Sequence, residues 1–146
     1  MARSGNVDED LFKQLNDLPF YQSEGPKSLG KEWVEEIISP LLDGSGLKAE
    51  DILATYCEHA AIQIAKALKK GSSLFTGGGA YSDYLMERIA VHSKEKIDLA
   101  DDSIIDFKEA LIFAYLGMKR LKNENNVLAS VTGAQRDHCA GSIHLP

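Results

Sequence analysis

Ser73-Leu-Phe-Thr-Gly-Gly-Gly-Ala-Tyr81 sets three consecutive glycines between a short apolar run and a segment of helical periodicity. Ser73 to Thr76 has the length and character of a buried strand. From Tyr81 to Val91 the apolar residues Leu85, Met86 and Ile89 return at helical spacing. A strand that ends in glycines and opens onto a helix brings bare backbone to the edge of a ligand, because glycine has no Cβ and reaches positive φ at little cost. Thr76, Gly77, Gly78, Gly79 and Ala80 are therefore read as a candidate nucleotide-binding turn. The alternative is a tight strand-to-helix packing with no ligand.

Downstream, Lys96-Ile-Asp-Leu-Ala100 reads as a second strand. Upstream, a long helix is expected from Ala49 to Lys70 with Leu53, Tyr56, Ala60, Ile64 and Ala67 inward, Lys66, Lys69 and Lys70 in its last turn and Gly71 as a left-handed cap. The order helix, strand, helix, strand, helix is that of a parallel βαβ unit and predicts an α/β fold. Ile105 to Leu121 supplies the last helix, with Phe107, Leu111, Ala114, Met118 and Leu121 as its core face.

At the front, Val7 to Leu18 carries Leu11, Phe12, Leu15 and Leu18 at helical spacing behind Asp8, Glu9 and Asp10, acids suited to a helix N-terminus. Pro19 stops it. Pro19 to Gly30 reads as a loop, and Lys31 to Leu42 as a helix with Trp33, Ile37, Ile38 and Leu41 on one stripe. The tail holds two β-prone pieces, Val127 to Thr132 and Ser142 to Leu145, which form a C-terminal hairpin or stay unpaired.

The chain has 146 residues, a length that suits one domain over 1–146 with a real core. Sixteen basic against twenty-two acidic side chains give a net charge of −6, so nucleic acid and anionic membrane are poor partners. No apolar run approaches the roughly 20 residues that span a bilayer. The N-terminus lacks the apolar core of a secretory signal, and a cytoplasmic chain is expected. Cys57 and Cys139 are then expected to stay unbridged.

The glycine turn matches neither Gly-x-Gly-x-x-Gly nor Gly-Lys-Ser/Thr, and Asp83 in the following helix would weaken a phosphate cradle. It suits a neutral nucleoside moiety better than a triphosphate. Glu109 shares a flank with Ile105, Ile112 and Leu116 and has no Lys or Arg three or four residues away. It is either a carboxylate for a sugar hydroxyl or amide, or the partner of an Asp106 N-cap in a capping box. Glu58-His59 lacks the second His of a zinc protease, and His138, Cys139 and His144 lack a second ligand pair, so no metal site is assigned. No catalytic set stands out.

Six ordered blocks carry a resemblance: Ala2-Arg-Ser-Gly5, Pro26-Lys-Ser-Leu-Gly30, Leu53-Ala-Thr55, Thr76-Gly-Gly-Gly-Ala-Tyr81, Phe107-Lys-Glu-Ala-Leu-Ile-Phe-Ala114 and Val131-Thr-Gly-Ala134. Together they resemble the C-terminal part of the anhydro-N-acetylmuramic acid kinases, of the actin-like ATPase (sugar kinase) superfamily. The resemblance implies a helix-rich, partial C-terminal lobe of an RNase H-like fold whose glycine turn meets adenosine, with Glu109 facing the sugar cleft. It implies ATP and Mg²⁺ as cofactors and an amino sugar as substrate of the complete enzyme, with the 1,6-anhydro ring opened by water and the 6-oxygen phosphorylated.

The family's phosphate loop and aspartate base have no counterpart among these residues, so no kinase activity is expected of the chain alone. Truncation would uncover apolar surface, and a homo-oligomer is expected, with Trp33 or the Phe107 helix at the contact. The family loop Lys-Ser-Thr-Gly-Arg-Glu reads Lys27-Ser28-Leu29-Gly30-Lys31-Glu32 here, and the Asn that often follows the family's Gly-Ala-Tyr is Ser82. Those departures put adenine selectivity in doubt. The rival reading is a noncatalytic helical module that associates with itself.

Overall fold

The computed structural model describes residues 1–23 and 28–144, in two compact units, Met1–Leu99 and Ala100–Pro146. Pro26 and Lys27 of the second family block, and Leu145 of the β-prone tail, lie outside the described residues.

The first unit opens on a single 3-10 turn, Ala2–Ser4, and helix α1, Glu9–Asn16. Asp8 caps α1 by accepting from the Leu11 N–H at 2.9 Å, so the helix starts later than its apolar pattern, and it buries Leu11 and Leu15. Pro19 does more than stop α1. It occupies the first turn of α2, Pro19–Gln22, where its missing N–H costs nothing. Part of the expected loop is therefore helical, and Phe20 and Tyr21 pack on Trp33 with ring centroids 5.3 and 6.2 Å away.

The next helical stretch changes pitch twice: α3, Lys31–Trp33, a π-helical segment Val34–Ile38, and α4, Ser39–Gly44. Pro40 explains the wide turn. It cannot donate to Glu36, and its ring crowds that carbonyl, so the chain widens before it, with the Ser39 N–H donating five residues back to the Val34 carbonyl. The inserted residue turns the stripe: Ile38 is buried in a cluster with Leu11 and Leu15 on which Val34, Leu41 and Leu42 pack, while Ile37, expected inward, is exposed.

Helix α5, Ala49–Ala67, is the spine of this unit. Its buried face is Ala54, Thr55, Glu58, His59 and Ala61, about one position round from the expected one, and Leu53 is exposed. Small residues decided the face, because Ala54 and Ala61 admit close neighbours. The polar ones are held by partners: the Thr55 hydroxyl donates to the Asp51 carbonyl and accepts from the Asp8 N–H. The helix ends at Ala67, short of Lys69 and Lys70. Gly71, at φ +127, does not cap it; its N–H donates to Glu95 Oε2.

Strands β1, Ser72–Phe75, and β2, Lys96–Leu99, pair in parallel from Ser72↔Lys96 to Phe75↔Leu99, joined through helix α6, Asp83–His92. This is the expected βαβ order. Phe75 and Ile97 pack on a cluster of Ala61, Met86 and Ile89. Leu74, on the opposite face of its strand, is 63% exposed rather than buried as expected.

Across α5 and α6, Glu58 accepts from Arg88 Nε at 2.6 Å, from Arg88 Nη2 at 2.8 Å and from His92 Nε2 at 2.6 Å. The Arg88 guanidinium holds the Glu58 carboxyl below its ordinary range, against the opposing effect of burial. Arg88→Met strips two of these bonds from a mostly buried carboxylate, and urea unfolding is expected to register a loss of about 2 kcal/mol. An unchanged midpoint would show that the pair contributes nothing net.

The second unit is built on α7, Asp102–Leu121. Asp101 accepts from the Ile104 N–H at 3.0 Å and starts the helix three residues before Ile105. None of its residues is buried. Phe107, Leu111, Ala114, Met118 and Leu121, the expected core face, are exposed. The C-terminal segment lies instead on the side of Leu116 and Arg120, reached by hydrogen bonds from Asn126 Nδ2 to the Leu116 carbonyl and from Arg120 Nε to the Gly141 carbonyl.

The hairpin between Val127–Thr132 and 142–145 does not form among the described residues. Val127 bridges antiparallel to His138 instead, and Ala129–Thr132 makes a helical turn, α8. Asp137 Oδ1 accepts the Ala129 N–H, and Gly133 closes the turn at φ +72, so side-chain bonds and a left-handed glycine outweigh β propensity there.

Candidate functional site

Beyond β1, Gly77 turns the chain at φ +86, a conformation that leaves glycine there by steric necessity. Gly78–Tyr81 then forms a 3-10 turn, with the Ala80 N–H donating to the Gly77 carbonyl at 2.9 Å and the Ser82 N–H to the Gly79 carbonyl at 3.1 Å. Thr76 and Gly77 are half-buried, Gly78 and Gly79 exposed, and Ala80 buried. A Cβ placed on Gly77, Gly78 or Gly79 meets no atom within 4 Å. Tight packing therefore does not account for the second and third glycines, and open space lies where a ligand would approach.

Ser82 stands where the family often has Asn, and it is the N-cap of α6: its hydroxyl accepts from the Leu85 N–H at 3.4 Å. Asn and Ser serve about equally as caps, so either residue can start the helix here. Asp83 occupies the first turn of α6. Arg3 stands in its field, paired with Glu87 at 2.6 and 2.7 Å and lying 5.2 Å over the Tyr84 ring. The acidic character of this helix end still favours a neutral group over a phosphate.

Glu109 lies inside α7, in the second unit, and is exposed. The capping-box alternative fails, because the N-cap of the helix is Asp101 and Asp106 lies more than a full turn further in. Glu109 shares its side of the helix with Phe113, one turn on. The glycine turn belongs to the first unit.

The Glu58, Arg88 and His92 cluster escaped the reading of the residues, which weighed Glu58 and His59 only as a zinc pair. Nothing local signals a bond between positions thirty residues apart. Burial pushes the Cys57 thiol up, away from the reactive range. A separate cleft of about 400 Å³ opens beside α1, lined by Asp8, Asp10, Leu11, Gln14, Leu41 and Leu47 among others, none of them from the glycine turn. Among the described residues no helix is long and apolar enough to cross a membrane.

Relatives of the chain agree on one name. It is 30% identical over 157 residues to an anhydro-N-acetylmuramic acid kinase of Saccharophagus degradans, covering 99% of this chain and 42% of that protein. It is 33% identical to one from a Sulfurovum species (99% and 42%) and 34% identical to one from Pseudomonas syringae pv. tomato (98% and 42%). The chain thus spans about two fifths of the length of the curated relatives it matches. The model of the family described as anhydro-N-acetylmuramic acid kinase matches residues 1–146, and the chain belongs to that family.

Proposed function

We propose that this chain supplies the nucleoside-binding turn and part of the sugar cleft of an ATP-dependent anhydro-N-acetylmuramic acid kinase, a cytoplasmic enzyme of cell-wall sugar recycling with the actin-like ATPase fold. The observation that carries the reading is the open bend at Gly77–Gly79, with Gly78 and Gly79 exposed, beyond the C-terminal end of a parallel strand, where α/β sheets bind ligands. Thr76, Gly77, Gly78, Gly79 and Ala80 meet the adenosine of an adenine nucleotide through backbone groups. Glu109 accepts a hydrogen bond from a hydroxyl or amide of the amino sugar. ATP brings the transferable phosphoryl group and Mg²⁺, and no residue of this chain is assigned to the metal.

Phosphoryl transfer rests on positioning and on charge stabilisation by metal and phosphate-binding groups. The groups on this chain bind and orient, and none is assigned to activate water. The purified chain is therefore expected to bind nucleoside without phosphorylating sugar.

Amide NMR tests the site. Adenosine or ADP is expected to shift Gly77 to Tyr81 with a dissociation constant of about 1 mM, some −4 kcal/mol. Gly78→Val is the decisive variant: Gly78 lacks positive φ and its Cβ has room, so the fold is kept while a branched side chain enters the ligand's approach. Loss of the response in that variant supports the reading; unmoved amides in the parent chain, or an unaltered response in the variant, overturn it.

One observation favours the second reading, a noncatalytic module that associates with itself. Phe107, Leu111 and Leu121 on α7 are 63 to 75% exposed, an apolar stripe of the kind that marks interaction sites. Light scattering on a sized column would return a dimer mass under this reading and a monomer mass against it.

A further inference from the structure

We propose that the second unit carries a binding groove for a small carboxylate with an apolar body, the carboxylate held by Arg120. The groove, about 380 Å³, is lined by Phe113, Leu116, Gly117 and Arg120 of α7 and by the segment around Ala140 and Gly141. Its volume falls within the range of small-molecule sites. It shares no residue with the glycine turn and does not include Glu109.

Four hydrogen bonds build its walls before any ligand arrives. The Asn126 side chain joins both: Nδ2 donates to the Leu116 carbonyl at 3.3 Å and to the Ala140 carbonyl at 3.1 Å, and Oδ1 accepts the Ala140 N–H at 2.8 Å. Arg120 Nε donates to the Gly141 carbonyl at 2.8 Å and ties the guanidinium to that segment. Gly141 reaches φ +105 to present that carbonyl. A wall held this way loses little freedom when a ligand binds, and that favours small ligands, whose gross interaction energy is limited.

The chemistry of the lining selects the ligand. Among the described residues that line the groove, Arg120 is the one charged side chain, and none is acidic. With Nε committed to Gly141, the end-on edge of the guanidinium, Nη1 and Nη2, is the pair left for a planar bidentate acceptor, and a carboxylate matches that fork. Phe113 and Leu116 supply an apolar surface beside it. Gly117 leaves the floor open, since a Cβ there meets nothing within 4 Å. A short aromatic or branched aliphatic carboxylate satisfies both halves.

Benzoate is the probe, with inorganic phosphate as the arm that separates an apolar carboxylate site from simple anion attraction. Benzoate is expected to shift the amides of Gly117, Gly141 and Ser142 saturably, with half-saturation at about 1 to 10 mM, a range ordinary for a ligand of so few atoms. Arg120→Gln should weaken this about fivefold or more through loss of a charge-assisted pair. Gly117→Leu, tolerated by the helix and filling the floor, should abolish it and keeps the test valid if Arg120→Gln loosens the loop. Absence of a saturable shift overturns the proposal, as does an unchanged response in Gly117→Leu. Equal half-saturation by phosphate overturns it too, since the apolar floor would then contribute nothing.

Discussion

Gly5→Ala is expected to lower the stability of the first unit by about 3 kcal/mol, a large share of what holds a domain of this size together. Gly5 has ordinary extended backbone, φ −86 and ψ 166, so its conformation is open to any residue. Space is what it lacks. A Cβ at this position would lie 2.0 Å from the Glu50 carbonyl oxygen, 2.3 Å from the Glu50 carbonyl carbon and 2.8 Å from the Asp51 nitrogen. Those atoms are backbone in the first turn of α5, and no rotamer change can move them aside.

Relief requires the N-terminal segment to lift off α5. That breaks the bonds from the Asn6 N–H to Asp51 Oδ1, 2.7 Å, and from the Asp8 N–H to Thr55 Oγ1, 2.9 Å, and leaves a buried hydroxyl short of a donor. Gly44→Ala is the control: it sits at the end of α4 without positive φ, its Cβ meets nothing within 4 Å, and a gain of about 0.5 kcal/mol is expected. Urea unfolding reads both. If Gly5→Ala keeps the parent midpoint, the seating of residues 2–8 on α5 is wrong.

The same segment marks the boundary of what the residues disclose. The order of α5, β1, α6, β2 and α7 is legible because each element carries its own period, and the turn after β1 is legible because consecutive glycines interrupt both periods. Gly5 looks ordinary in sequence. Its constraint comes from a helix forty-five positions away.

The inward face of α5 was misread for a related reason. A periodic pattern rewards large apolar residues, and Leu53 fits it, yet the face that closes on α1 and α6 is set by Ala54 and Ala61, whose value is their small size. On α7 the reading of periodicity was sound and the inference from it was not: Phe107, Leu111, Ala114, Met118 and Leu121 do form one stripe, but nothing in a helical period says that a stripe is covered within the unit. At the candidate site, backbone openness at Gly78 and Gly79 followed from composition. The cap roles of Ser82 and Asp101 required the choice among several Asp and Ser residues that only hydrogen-bond geometry makes.

Between pH 6.5 and pH 4, His59 alone is expected to remove about 3 kcal/mol from the first unit. Its ring is 1% exposed, with the Tyr21 ring edge-on at 4.7 Å, and burial holds its pKa near 4, against 6.5 for a free imidazole, with Lys66 adding to the effect. Its neighbours fix the proton. Asn16 Nδ2 donates to the Phe12 carbonyl at 2.8 Å and Asn16 Oδ1 accepts from Gln63 Nε2 at 2.6 Å, so the atom facing His59 Nδ1 at 3.1 Å is an acceptor. Nδ1 therefore carries the hydrogen. Nε2 is buried with no hydrogen-bond partner among the described residues. A second proton on Nε2 would place a buried charge where no described residue accepts it.

The sign follows from the lowered pKa. Above 6.5 both states are neutral and the full contribution is present; as pH falls, the unfolded chain binds the proton first, and stability declines until the folded ring titrates near 4. Glu58, whose carboxyl Arg88 holds low, loses its own contribution only as pH falls below the ordinary carboxyl value of 4.5, so its window lies beneath most of this one. His59→Phe separates the two. It keeps a ring of similar shape against Tyr21, leaves Asn16 bonded to Gln63 and cannot titrate. Urea midpoints at pH 7, 5.5 and 4.5 should fall for the parent and stay level for the variant. Parallel declines in both proteins would mean that the imidazole is not held neutral inside the fold.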